Sequence, residues 1–267
     1  MSLRRRVLGR LNTVPMIDRH VYVARHGPAR GLKRQGGMGW LPSFLPRMHE
    51  WEAEEAFLAA LEWRGLTVYD VGGDQGLFTL FFADRVGEAG HVIVIEPNPR
   101  SCLRIEQNVR LNDFRNVSIV PVGLADRSTR LQFAFPSSEP ARGSAVPAVA
   151  DRIKFEGKAT LCEIEVNALD DEIKRSALPP PHFIKMDVEG MEYPALQGMR
   201  MTLREHRPRL SIEIHGLGVE QKIANVRQVV AFMEEMDYRL WHIESAQTIE
   251  SSNAVSAMEG HLYCEPR

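Results

Sequence analysis

Two acids frame the chemistry this chain can do. Asp70 closes the run Val68-Tyr69-Asp70-Val71 just before Gly72, Gly73 and Gly76, and Glu96 closes Val92-Ile93-Val94-Ile95 before Pro97. Glycines let the backbone turn sharply and let a ligand approach the following helix end with no Cβ between them. In a dinucleotide site that helix end faces a pyrophosphate. Asp70 and Asp74 would repel one at short range, and the spacing is not GxGxxG. A ligand with a cation here and a ribose further along fits better. S-adenosylmethionine has both: an amine that a carboxylate and backbone carbonyls can hold, a positive sulfonium, and ribose hydroxyls that can donate to Glu96. The plainer alternatives are a tight turn with no ligand and a Glu96 that only caps the helix behind Pro97. After the third strand comes Gly123-Leu124-Ala125-Asp126. That position flanks the adenine slot of such sheets, with Leu124 against the ring and Asp126 accepting the amino group. A turn aspartate bonding its own backbone is the alternative. The predicted cofactor set is therefore Asp70, Gly72, Gly73, Gly76, Glu96, Pro97, Leu124 and Asp126, joined by Asp187.

Asp187 belongs to a second dense stretch, Ile184-Lys185-Met186-Asp187-Val188-Glu189-Gly190-Met191-Glu192. Three acids so close are costly without a cation, a proton or a hydrogen-bonding substrate. The next strand ends in Glu213-Ile214-His215, and period-two alternation puts Glu213 and His215 on the same side of the chain. One reading makes His215, Asp187 or Glu189 the general base for a substrate hydroxyl. A second makes Asp187, Glu189, Glu213 and His215 a divalent-metal site. A third leaves them as helix caps and an ordinary strand-end histidine. The base reading is preferred, with no metal.

These residues need elements to hold them. Strand, glycine turn, helix, strand is the first half of a doubly wound, mostly parallel sheet with helices on both faces. Strands are predicted at 67–71, 91–95, 117–122, 183–187, 209–214, 238–243 and 260–264, a seven-stranded Rossmann-like α/β sheet. Asp187 then falls at the mouth where strand order reverses. Helices are predicted at 49–64, 76–86, 99–112, 168–175 (capped by Asn167), 193–204 and 220–236. In the first, Trp51, Phe57, Leu58 and Leu61 share an apolar face, while Glu52, Glu54 and Glu55 lie near the positive end. Residues 129–135 and 160–166 alternate like a hairpin. Between them Pro136 to Ala150 reads as a long loop, a candidate lid. The predicted organisation is a basic arm at 1–48, with one short strand around Val21-Tyr22-Val23, and a catalytic domain at 49–267 carrying an insertion at about 129–166.

Bulk properties bound the rest. The 267 residues are 44% hydrophobic and 25% charged, ordinary for a soluble globular protein. No apolar run suits a membrane span. The arginines at 4 to 6 have no apolar core of secretory type behind them, and three scattered cysteines suit a reducing compartment, so a cytoplasmic location is expected. Residues 1–34 hold nine Lys/Arg and one acid, a local +8 against −2 for the whole, which leaves −10 for the remainder. Such an arm is either a solvated tail or a contact for an acidic partner. The acidic remainder argues against a broad nucleic-acid surface.

Taken together, Asp70-Val71-Gly72, Gly76, Glu96-Pro97-Asn98, Gly123, Asp126, Asn167-Ala168-Leu169-Asp170-Asp171, the run Ile184 to Glu192 and Glu213-Ile214-His215 resemble the FkbM family of S-adenosylmethionine-dependent methyltransferases. The resemblance runs from about Trp51 to about Tyr238. The family's loop usually reads Asp-Val-Gly-Ala-Asn-x-Gly; here Gly73 and Asp74 stand in for the Ala and Asn. It implies the class I fold and a hydroxyl acceptor on a sugar, polyketide or related metabolite. The expectation is an O-methyltransferase of small molecules. The rivals are a nicotinamide-dependent oxidoreductase on the same sheet and a non-catalytic binding module. The oligomeric state, monomer or homodimer, stays open.

Overall fold

A computed structural model describes residues 19–36, 53–136, 159–216 and 218–267. Most of the arm, the helix start with Trp51 and Glu52, and the loop at 137–150 lie outside the described residues. The arm contributes a two-stranded hairpin, β1 (Val21–Val23) and β2 (Lys33–Gln35), where one strand was expected. Then follow α1 (Ala53–Ala59), β3 (Thr67–Val71), α2 (Leu77–Val86), β4 (His91–Ile95), α3 (Pro99–Leu111) and β5 (Val117–Val120). Next come β6 (Gly123–Leu124), β7 (Thr129–Pro136), β8 (Ala159–Asn167), α4 (Leu169–Arg175) and β9 (Phe183–Met186). The last part holds α5 (Glu192–Gln197), α6 (Arg200–His206), β10 (Arg209–Glu213), α7 (Val219–Glu235), β11 (Tyr238–His242), β12 (Gln247–Ile249), a 3-10 turn at Ala254–Ala257 and β13 (His261–Pro266).

The main sheet runs β12-β11-β13-β10-β9-β3-β4-β5. From β5 to β10 every neighbour is parallel, and β13 enters antiparallel to both β10 and β11. The seven predicted strands are all present, and β12 adds an eighth at the edge. A three-residue edge strand offers too little periodicity to be read from sequence. Strand order reverses between β3 and β9, which puts the ends of both at the crevice. β7 and β8 pair antiparallel, and β6 joins β8 to make a three-stranded sheet.

Alternation sorts each central strand onto two cores. Tyr69, Val71, Ile93, Ile95, Ile184 and Met186 face α5, α6 and α7, where Leu196, Leu203, Val226, Val230 and Met233 meet them. Val68, Val92, Val94 and Phe183 face Leu80, Phe81 and Phe82 of α2, Ile105 of α3, and Leu58 and Trp63. Burial on both faces is why these strands read as continuous apolar runs. Among the described residues no helix is long and apolar enough to cross a membrane.

Two local readings need correction. The single helix expected at 193–204 is two, α5 and α6; at the break the Gly198 carbonyl accepts the Asp170 N–H at 3.0 Å. Asn167 does not cap α4; Ala168 takes the cap position, and the Asn167 amide donates to Glu165 and Glu172 instead. Asp170 does the capping elsewhere. It accepts the Met201 and Thr202 backbone N–H groups at 2.8 Å each, satisfying the first turn of α6.

The glycine turn itself is fixed by crowding. Gly72 has φ +83°, and a Cβ there would overlap the carbonyl oxygen of Asp187. β3 and β9 approach this closely only because the residue is glycine. Gly72→Ala should add at least about 1–3 kcal/mol of backbone strain before that overlap is counted. The expected result in denaturant melts is a large loss of stability; a variant as stable as wild type would show that the contact is not needed. The arm is held differently. Asn108, fully buried on α3, accepts the Gln35 N–H at 2.7 Å and donates to the Gln75 carbonyl at 3.1 Å, so it ties β2 to the glycine turn. Asn108→Ala strands both groups and should cost about 1–3 kcal/mol. Limited proteolysis should then cut first within 19–36; unchanged protection would contradict this tether.

Candidate active site

A cleft of about 310 Å³ opens at the carboxyl ends of β3, β4, β9 and β10. Gly72, Glu96, Pro97, Leu124, Asp187, Glu189 and His215 line it, as do Asp74, Asn98 and Glu213. Ile164 and Val166 of β8 and Met191 supply an apolar wall. Of the predicted cofactor residues, Asp70, Gly73 and Gly76 stand behind this surface. Asp70 is buried, and its carboxylate accepts the Thr79 hydroxyl at 2.6 Å. Burial pushes its pKa up, with Lys185 and Thr79 opposing. Asp70 is thus buried beneath the turn and does not line the cleft. Asp126 is exposed, 3.5 Å from Arg127, and does not line the cleft. That geometry suits a surface turn residue better than a partner for adenine.

Glu96 sits where strand-end geometry places it. One carboxylate oxygen accepts the Asp74 N–H at 3.0 Å and the other the Asn98 N–H at 2.8 Å. Each oxygen keeps a second lone pair for a ligand. Burial raises its pKa to about 8, against the pull of those two N–H groups. Asp74 takes φ +47°, one of the left-handed conformations that Asn and Asp tolerate, which explains how it fills a loop position the family usually gives to Asn.

The opposite wall is an ion cluster. The buried Glu192 accepts from His215 Nδ1 at 2.9 Å and from Asn225 at 2.7 Å, and Asn225 also donates to the His215 carbonyl. That fixes the ring, leaving Nε2 3.3 Å from Glu213, 3.7 Å from Asp187 and 4.0 Å from Glu189. Burial alone would favour a neutral ring. The bonds to Glu192 and Glu213 and the field of Asp187 outweigh it and raise the pKa to about 11, so His215 is an imidazolium at neutral pH. Asp187 moves to about 7, raised by burial and by Glu213 and Glu189, and held back by Lys185 and His215. Glu213 goes the other way: burial would raise its pKa, but its bonds to His215 and His261 carry it well below the usual carboxylate range.

Asp187, Glu213 and His215 each bring a ligand-type atom within 4.8 Å of the others. His215 pairs with each of the two acids, and the three form a charge cluster. Lys185 lies beneath it. Its ammonium is buried, 3.9 Å from Asp187 and 4.6 Å from the centre of the Phe78 ring. Burial opposes its charge, but Glu54, Asp187, Asp70 and Glu213 overcome that and raise its pKa. Sequence alone assigns no catalytic or binding role to Lys185, Glu192 or His261, and places Glu54 only near the positive end of its helix. A lysine inside the apolar strand Phe183-Ile184-Lys185-Met186 is a signal that could have been read, since a charge buried on both sheet faces must have partners. Glu54 and His261 come from remote segments, and nothing local marks them.

The model of the methyltransferase FkbM domain matches residues 70–240. The hexuronic acid methyltransferase AglP of Haloferax volcanii is 28% identical over 157 residues, which are 58% of this chain and 58% of that protein. The chain thus matches well under two thirds of that relative's length. Among solved structures, methyltransferase FkbM from Methylobacillus flagellatus KT superposes with a TM-score of 0.51 at 20% identity, covering 77% of this chain and 45% of that one. Cofactor-bound Rv0187 from MTB gives 0.49 at 15% identity, covering 84% of each. The likeness to the Methylobacillus flagellatus structure speaks to the fold. The family match spans more than half of the sequence and takes in the glycine turn, Glu96, Asp187 and His215, and on that ground this chain belongs to the FkbM methyltransferase domain family.

Proposed function

We propose that this chain moves a methyl group from S-adenosylmethionine to a hydroxyl of a small molecule such as a sugar or secondary metabolite, with Asp187 as the base. The observation that carries this reading is a single cleft with Glu96 on one wall and Asp187 beside His215 on the other. The charges present favour that cofactor over a dinucleotide. Asp74 and Glu96 line the side where a diphosphate would sit, and among the described lining residues no Lys or Arg is there to meet one. Carboxylates instead suit an amine, a sulfonium and a ribose diol. When bound, the cofactor supplies an electrophilic methyl group on a sulfonium.

The residues of the chain account for the remaining work. Glu96 holds a diol at a fixed depth, and the apolar wall of Ile164, Val166 and Met191 limits water on the acceptor side. An acceptor hydroxyl beside Asp187 gives up its proton to that carboxylate as its oxygen takes the methyl group. A base whose pKa lies near the working pH is the most effective kind. His215, already protonated, cannot play that part. Its positive charge stabilises the ionised form of Asp187. Most of the acceleration comes from holding the two reactants in line.

The test is methyl transfer from labelled S-adenosylmethionine to a panel of hydroxylated acceptors. The panel includes hexuronosides, because AglP is a hexuronic acid methyltransferase. Label on an acceptor oxygen supports the reading, and label found only on nitrogen or carbon would overturn it. Asp187→Asn should lower kcat by about 10²–10⁴. The active form is the carboxylate, so wild-type kcat should rise with pH through about 7 and level off above it; a profile flat from pH 5 to 9 would remove Asp187 as the base. Above pH 8, where Glu96 is ionised, Glu96→Gln takes away one charged acceptor of ribose hydrogen bonds, worth about 1.5 kcal/mol or more, and should weaken cofactor binding about tenfold by calorimetry. An unchanged Kd would move the ribose elsewhere.

A further inference from the structure

Two residues outside the family-matched stretch reach into the charge cluster. Glu54 lies on α1, and His261 begins β13. In the antiparallel β10–β13 register His261 stands opposite Glu213. Its Nε2 is 3.5 Å from one Glu213 oxygen, while the other Glu213 oxygen is the one 3.3 Å from His215. The His261 ring is itself held on both sides. Nδ1 donates to Glu244 at 2.6 Å, the His261 backbone N–H donates to the second Glu244 oxygen at 2.9 Å, and Nε2 is 3.2 Å from Glu54. Glu54 is 6% exposed and is locked in turn by the Ser211 hydroxyl at 2.8 Å. Glu213 thus sits between two imidazole rings, each anchored by a separate carboxylate. Asp187, by contrast, has its nearest cations at 3.7 and 3.9 Å, beyond hydrogen-bond length.

We infer that His261 and Glu54 are positioning residues of the methyl-transfer site: they pin Glu213 as the fixed counter-ion of His215 and so leave Asp187 as the carboxylate available to an acceptor hydroxyl. This rests on the function proposed above. Without His261, Glu213 has one cation instead of two and a free oxygen. It could then turn to compete with Asp187 for the acceptor proton. The charged groups that face the His261 ring are Glu54 from α1, Glu213 from β10, and Glu244 beyond β11, with His242 of β11 3.0 Å from Glu244. Lys185 of β9 acts on Glu54 and Glu213 from below.

The experiment is a carboxyl-carbon and histidine-ring NMR titration of the full chain, with and without S-adenosylhomocysteine. In wild type the Glu213 carboxyl should stay ionised down to the acid limit of folding. In His261→Gln it should protonate with a midpoint at least one pH unit higher, and His261→Lys, which keeps a cation, should restore most of the difference. By reciprocity, Glu213→Gln should lower the His261 ring midpoint by at least one unit, and this variant serves if His261→Gln does not fold. A histidine that only packs would leave both titrations unmoved, and that result would overturn the inference. S-adenosylhomocysteine should bind wild type and His261→Gln with Kd values within twofold, since His261 and Glu54 do not line the cleft. If it bound neither protein, the methyltransferase reading would fail separately from this one.

Discussion

One buried ammonium conditions this site. Lys185 lies inside a parallel strand with both sheet faces covered, where a charge survives only among partners. Its partners are the acids of the functional edge: Glu54 from α1, Asp70 from β3, Asp187 from the end of β9 and Glu213 from the end of β10. That cation pulls the pKa of Glu54, Asp70 and Asp187 down against burial, while Glu213 is held by its bonds to His215 and His261. Glu213 is held ionised and Asp187 is poised near neutrality. Two acids in one cleft with separated titrations can take separate roles, one as a fixed charge and one as a proton acceptor.

Packing brings the two halves of the cleft together. Gly72 leaves room for the Asp187 carbonyl, so the turn after β3 and the end of β9 share one wall. Glu96, at the end of the neighbouring β4, sets the depth on the other side. The cleft is therefore a consequence of strand order: reversal between β3 and β9 opens a crevice at the point where the acids of both strands end. Hydrogen bonds then remove freedom from the side chains that matter. Glu192 and Asn225 fix the tilt of the His215 ring, and backbone N–H groups fix Glu96. Rigid positioning of this kind is what a transfer between two bound molecules needs most.

Much of the fold was legible because its strands obey simple patterns. β3, β4, β9 and β10 are short apolar runs closed by acids, and the glycine turn and Pro99 mark where helices begin. The break at Gly198 was not legible, since the cap of α6 comes from Asp170, far away in sequence, and β12 is too short to show a period. In the site, residues at strand ends could be picked out because chain order fixes where strand ends go. Glu96, Asp187, Glu213 and His215 do share the cleft. Asp126 did not follow, because a turn residue's direction depends on the turn and not on the strand before it. Glu54 and His261 could not be found locally: they are far from the motif in sequence and meet it only through α1 packing and the β13 register. Asn167 and Asp170 carry the family resemblance for a structural reason, since Asp170 caps α6.

The central claim is that the cleft holds an adenosyl donor by its ribose and its positive end and has no home for a diphosphate. The most direct test is calorimetry of the full chain with S-adenosylhomocysteine and, separately, with NAD. The account predicts saturable binding of the first and no heat from the second. Tight NAD binding with no response to S-adenosylhomocysteine would contradict it, and the roles given to Glu96 and Asp187 would fall with it.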